Sequence, residues 1–62
     1  METLVIHLEL TDDEASALAQ FLKRASHGLY RQCAIDEHEA YDMLFAGDKL
    51  RQALADQGYA PR

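Results

Sequence analysis

The chain has 62 residues and carries eleven Asp/Glu against six Lys/Arg, a formal charge of −5. That leaves room for one domain, residues 1–62, which buries only about 60% of its unfolded surface. Cys33 is the only cysteine, which excludes an intramolecular disulfide, and no ligand set has structural-zinc spacing. Oligomerisation is the staple that remains for so small a core. The acidic balance argues against nucleic acid or an anionic membrane as a direct partner. The N-terminus lacks a basic region, its apolar stretch is broken by His7 and Glu9, and no run reaches transmembrane length. A cytoplasmic protein with a reduced thiol is expected, without cofactor or metal.

In chain order, residues 3–10 (Thr-Leu-Val-Ile-His-Leu-Glu-Leu) alternate and predict a β-strand. Leu4, Ile6, Leu8 and Leu10 form a face suited to cover helices, while Thr3, Val5, His7 and Glu9 form the other. No second strand follows. The edge of a lone strand needs a partner, so Thr3, Val5, His7 and Glu9 are assigned to a strand shared between the subunits of a homodimer.

Thr11-Asp12-Asp13-Glu14 reads as a capping box, in which Thr11 and Glu14 exchange side-chain to backbone bonds. The first helix is predicted from about Asp12 to Ser26 or His27, with Gly28 as its C-cap. Ala15, Leu18, Ala19, Leu22 and Ala25 supply its apolar stripe, and Phe21 flanks it. Residues 28–35 are too apolar for a solvated loop and predict a short helical turn that tucks Leu29, Cys33 and Ile35 inward. Asp36 and Glu39 form a second box. The next helix is predicted from Asp36 to Gln57, ending at Gly58, with a seam of Ala40, Met43, Gly47, Leu50 and Leu54, widened by Leu44 and Ala53. Gly47 on that seam predicts close approach by the first helix or the strand, and Pro61 stops any extension. The fold class is therefore α+β and mostly α, in the order β-α-α.

The charges fall in blocks, acids at helix starts and bases toward helix ends, as the macrodipole favours. Asp36, Glu37, Glu39 and Asp42 exceed that need: four carboxylates in seven residues, with His38 as the only local counter-charge. They are the candidate partner-binding surface, suited to a basic protein. His38 and Asp42 alone fall short of a metal site. His27 is placed at a helix C-terminus, where a cation is favoured, and Cys33 is expected to be a buried structural thiol. A catalytic pair of Cys33 and a histidine would also need an oxyanion pocket and a rigid frame, so no enzyme is expected.

Two resemblances bear on function. Val5-Ile6-His7-Leu8 leading into Asp12-Asp13-Glu14-Ala15 resembles ribbon-helix-helix repressors over residues 3–27, implying strand-paired dimers with the ribbon in the major groove. The outward face of Thr3, Val5, His7 and Glu9 lacks the Lys or Arg that reads bases. Asp36-Glu37 would also repel the phosphate that the family holds at its second helix. The blocks Ala17–Arg24, Glu39-Ala40-Tyr41, Ala46–Leu50 and Gly58–Arg62 resemble short proteins of bacterial prophages and other mobile elements. That resemblance implies a setting in which small acidic proteins, anti-CRISPR and anti-restriction inhibitors among them, occupy basic nucleic-acid grooves of host defence complexes. The expectation is a non-enzymatic inhibitor or interaction protein acting on a basic host protein such as a CRISPR–Cas effector. A ribbon-helix-helix-like regulator or a small assembly subunit is the alternative.

Overall fold

The computed structural model describes residues 2–60. It comprises three helices, α1 (Asp12–Arg24), α2 (His27–Cys33) and α3 (Glu37–Asp56), with no strand among the described residues. The expected β-α-α arrangement is thereby corrected to an all-helical one. Residues 2–10 take no regular secondary structure, and Leu4, Ile6 and Leu8, expected to cover the helices, are 77%, 76% and 62% exposed. The physical reason lies in the unmet edge of a lone strand. Alternation shapes a strand's faces but provides none of its ladder hydrogen bonds, and this chain has no second strand to supply them.

Local signals set the helix starts. Thr11 Oγ1 accepts from the Glu14 N–H at 3.1 Å, and Glu14 Oε1 accepts from the Thr11 N–H at 2.9 Å, completing the capping box. Those bonds favour the ionised carboxylate and hold the Glu14 pKa below its ordinary value. At its other end α1 stops two or three residues earlier than predicted, at Arg24, because Ser26 caps a new helix by accepting from the Leu29 N–H at 3.3 Å. Gly28 therefore lies inside α2 and is not a C-cap. His27 is likewise the first residue of α2, not a C-terminal one.

The expected helical turn between the long helices is α2, but its inward face is thinner than expected. Leu29 is half-buried, whereas Cys33 is exposed and Ile35 is 83% exposed. Asp36 caps α3 and Gly58, at φ 97°, follows its end in the left-handed region that glycine tolerates. Pro61 lies outside the described residues.

α3 is the common platform on which both other helices pack. The Leu22 side chain lies beside Gly47 while Tyr59 reaches Asp12, so α1 and α3 run antiparallel. The core is made of Ala15, Ala19 and Leu22 of α1 with Ala40 and Leu54 of α3, flanked by Leu18 and Tyr59. Three of these five buried side chains are alanines, which permits close helix approach but buries little apolar area. Of the predicted α3 seam, Ala40, Gly47 and Leu54 are buried, Met43 is half-buried, and Leu50 remains 36% exposed; Ala53 is exposed. Gly47 is approached by Tyr30 of α2 as well as by α1: a Cβ placed there would meet the Tyr30 hydroxyl, with Cζ at 3.2 Å and Leu22 Cδ2 at 3.7 Å.

Behind α3 the chain turns back, and Tyr59 donates its N–H to the Leu54 carbonyl at 2.9 Å and its hydroxyl to Asp12. The Asp12 hydrogen bond raises the Tyr59 pKa above its ordinary value of 10.0. The folded value exceeds the unfolded one, so this contact contributes fully below the unfolded value and is lost as pH rises through the folded one. A melting curve followed against pH should show an alkaline decline in the wild type that Tyr59→Phe flattens. Equal declines in both would remove Tyr59 as its source.

Candidate protein-binding surface

The N-terminal turns of α3 gather the four predicted acidic residues, but they do different work. Asp36 Oδ1 accepts from the Glu39 N–H at 2.8 Å, and Glu39 Oε1 accepts from the Ile35 N–H at 3.1 Å. Both carboxylates thus satisfy backbone donors at the helix start. Glu37 ties α2 to α3: Oε1 lies 2.9 Å from Arg31 Nε, and Oε2 lies 3.3 Å from His27 Nε2. Arg31 also donates through Nη1 to the Ala34 carbonyl at 3.1 Å, so it fastens the end of α2 as well. Asp42 lies 3.5 Å from His38 Nε2, an i,i+4 contact between side chains 65% and 88% exposed. Local structure therefore explains much of the carboxylate surplus. Glu37 and Asp42 still present negative oxygens to solvent, the Glu37 side chain at 58% exposure.

His27 has a setting that its sequence position did not suggest. Its Nε2 is shielded from solvent without hydrogen-bond geometry, although the Glu37 carboxylate is close. Its ring lies 4.8 Å from that of Tyr41, and Tyr41 in turn lies 6.2 Å from Phe45. Tyr41 and Phe45 stand four apart on α3, the spacing of neighbours on one helix face, whereas His27 comes from a helix of its own. Both α3 rings are about half exposed, and Phe21 of α1 is 54% exposed.

The other predicted set, Thr3, Val5, His7 and Glu9, lies in the exposed N-terminal segment, Val5 at 84%. No strand joins these four residues to any other of the described residues. Residues Ile6 to Leu10 instead form one wall of an open groove of about 770 Å³, whose other wall is the C-terminal half of α3 with Leu50, Ala53 and Leu54.

Cys33, expected to be a buried thiol, is exposed at the end of α2. Among the described residues no three His, Cys, Asp or Glu side chains gather as a metal-holding group, and no buried polar or charged residue occurs. No helix among the described residues is long and apolar enough to cross a membrane.

Over residues 1–62 the sequence matches a family of unknown function, DUF7706. The chain belongs to that family. No curated protein and no solved structure matches it. The family carries no assigned activity, so the surface itself is the ground for any functional reading. Exposed carboxylates at one end of α3 and apolar side chains on the N-terminal segment are both features suited to contact with another macromolecule.

Proposed function

We propose that this protein is a small non-catalytic binding module that docks on a basic, nucleic-acid-binding surface of a host protein. The observation that carries the reading is the pair of exposed carboxylates, Glu37 and Asp42, in the first turns of α3, on a chain of net charge −5. Such a pair speeds encounter with a positive partner and makes association sensitive to salt. The resemblance of several sequence blocks to mobile-element proteins supports an inhibitor's setting, in which a CRISPR–Cas effector is one such basic partner. The ribbon-helix-helix alternative has less support, since the described residues contain no strand from which to build a ribbon.

Asp42→Lys is the cleanest probe, because it leaves the Asp36 and Glu39 caps and the Glu37–Arg31 contact in place. A partner captured from nuclease-treated host lysate on the immobilised protein, then purified, should bind the variant about tenfold more weakly at low salt, a loss of roughly 1.4 kcal/mol. The salt dependence should flatten with it. Unchanged affinity and salt slope would remove the pair as the site. Tight, sequence-specific gel shifts with DNA at physiological salt would overturn the reading altogether.

A further inference from the structure

We infer that two copies of this chain associate through the groove between Ile6–Leu10 and the C-terminal half of α3, each covering the other's apolar walls. The first argument is area. A folded monomer of 7.0 kDa exposes about 4,000 Å² on the scaling of compact proteins, whereas this chain exposes 5303 Å². The surplus is about 1,300 Å² per chain, or roughly 2,600 Å² for a pair, inside the range of obligate homodimer interfaces. The dimensions agree. A compact chain of this length has a radius of gyration of about 11 Å, and the value here is 12.4 Å.

The second argument is the shape of one exposed apolar face. Leu4, Ile6 and Leu8 project largely exposed from the N-terminal segment, and beside them lies an open groove floored by Leu50, Ala53 and Leu54. One face thus carries both an apolar ridge and an apolar recess. A two-fold axis uses the same patch on both partners, so each ridge meets the other's recess. A foreign partner would have to supply both features; a second copy has them already.

Glu9 is the only carboxylate among the residues that line the groove. The acidic turn of α3 stands about 20 Å further along the helix axis, at 1.5 Å per residue, which is beyond a Debye length at physiological salt. The association rests on side-chain burial and requires no β-ladder, and it leaves Glu37 and Asp42 free, so it stands or falls independently of the proposed docking function.

Sedimentation equilibrium on the full chain tests it. The wild type should sediment at twice its single-chain mass in the micromolar range. Ile6→Glu/Leu8→Glu, altering side chains already exposed in the single chain, should sediment at the single-chain mass, and Phe21→Glu, outside the groove, should remain a dimer. A wild type of single-chain mass throughout would overturn the inference. So would a dimer that survives the double substitution, or one dispersed by Phe21→Glu alone. If the double variant loses its helical signal as it dissociates, the wild-type melting temperature decides. A rise of about 5 °C for each tenfold increase in concentration supports the dimer, and an invariant value overturns it.

Discussion

Leu54→Ala is expected to remove most of the protein's cooperative thermal transition. Leu54 is 7% exposed and closes the cluster of Ala15, Ala19 and Leu22. Truncating a buried leucine costs about 2–5 kcal/mol, part transfer and part cavity. A core of this size supplies roughly 3–5 kcal/mol in all. With three alanines among the five buried side chains, little neighbouring bulk can move in to fill the space. Circular dichroism melts should therefore show a broad, low-temperature loss of helix. Ile35→Ala, at a position 83% exposed, should stay within about 0.5 kcal/mol of the wild type. A Leu54→Ala protein that melts like the wild type would mean that the core lies elsewhere.

The second large effect is at Gly47. Alanine in a helix interior is favoured over glycine by about 1 kcal/mol, so propensity alone predicts stabilisation. The site opposes it. The new Cβ would collide with the Tyr30 hydroxyl and press on Cζ at 3.2 Å. Overpacking of this kind costs about 1–3 kcal/mol, and the Tyr30 side chain that must shift is half-buried. Gly47→Ala should therefore destabilise by about 1 kcal/mol, the overpacking outweighing the propensity gain. Removing the hydroxyl with Tyr30→Phe relieves the closest contact, and in that background the same substitution should become neutral or favourable. Chemical denaturation of the four proteins in the cycle measures the coupling, expected to exceed about 0.5 kcal/mol. Additive effects would show that the hydroxyl is not what reserves the position for glycine.

Gly47 also shows how far the sequence could be read. Its place on the α3 seam was enough to predict close approach, but not that the approaching group is Tyr30. That side chain belongs to α2, a helix whose start depends on Ser26. The sequence Ser26-His27-Gly28-Leu29 carries a cap signal, yet Gly28 one residue after His27 reads equally well as the end of the preceding helix. The glycine reading misplaced His27 and with it the stacking on Tyr41. The candidate acidic surface was legible as a cluster. Its division of labour was not, because the role of Glu37 depends on Arg31 being carried to it by α2.

What the sequence determined by itself is the part of the structure that forms over three or four residues. Thr11 with Glu14, and Asp36 with Glu39, start helices through bonds between near neighbours, and the spacing of Ala15, Ala19, Leu22, Ala40 and Leu54 chose the buried faces. The tertiary structure alone decided what depends on groups distant in the chain. It left residues 2–10 without a strand, since a ladder needs a second backbone and alternation cannot provide one. It joined Glu37 to Arg31 and His27 across a turn, and it brought Tyr59 back to Asp12. Helices satisfy their backbone groups within one short segment, whereas an extended chain is satisfied only by a partner. For this reason the starts of α1 and α3 could be read from the sequence and the fate of residues 2–10 could not.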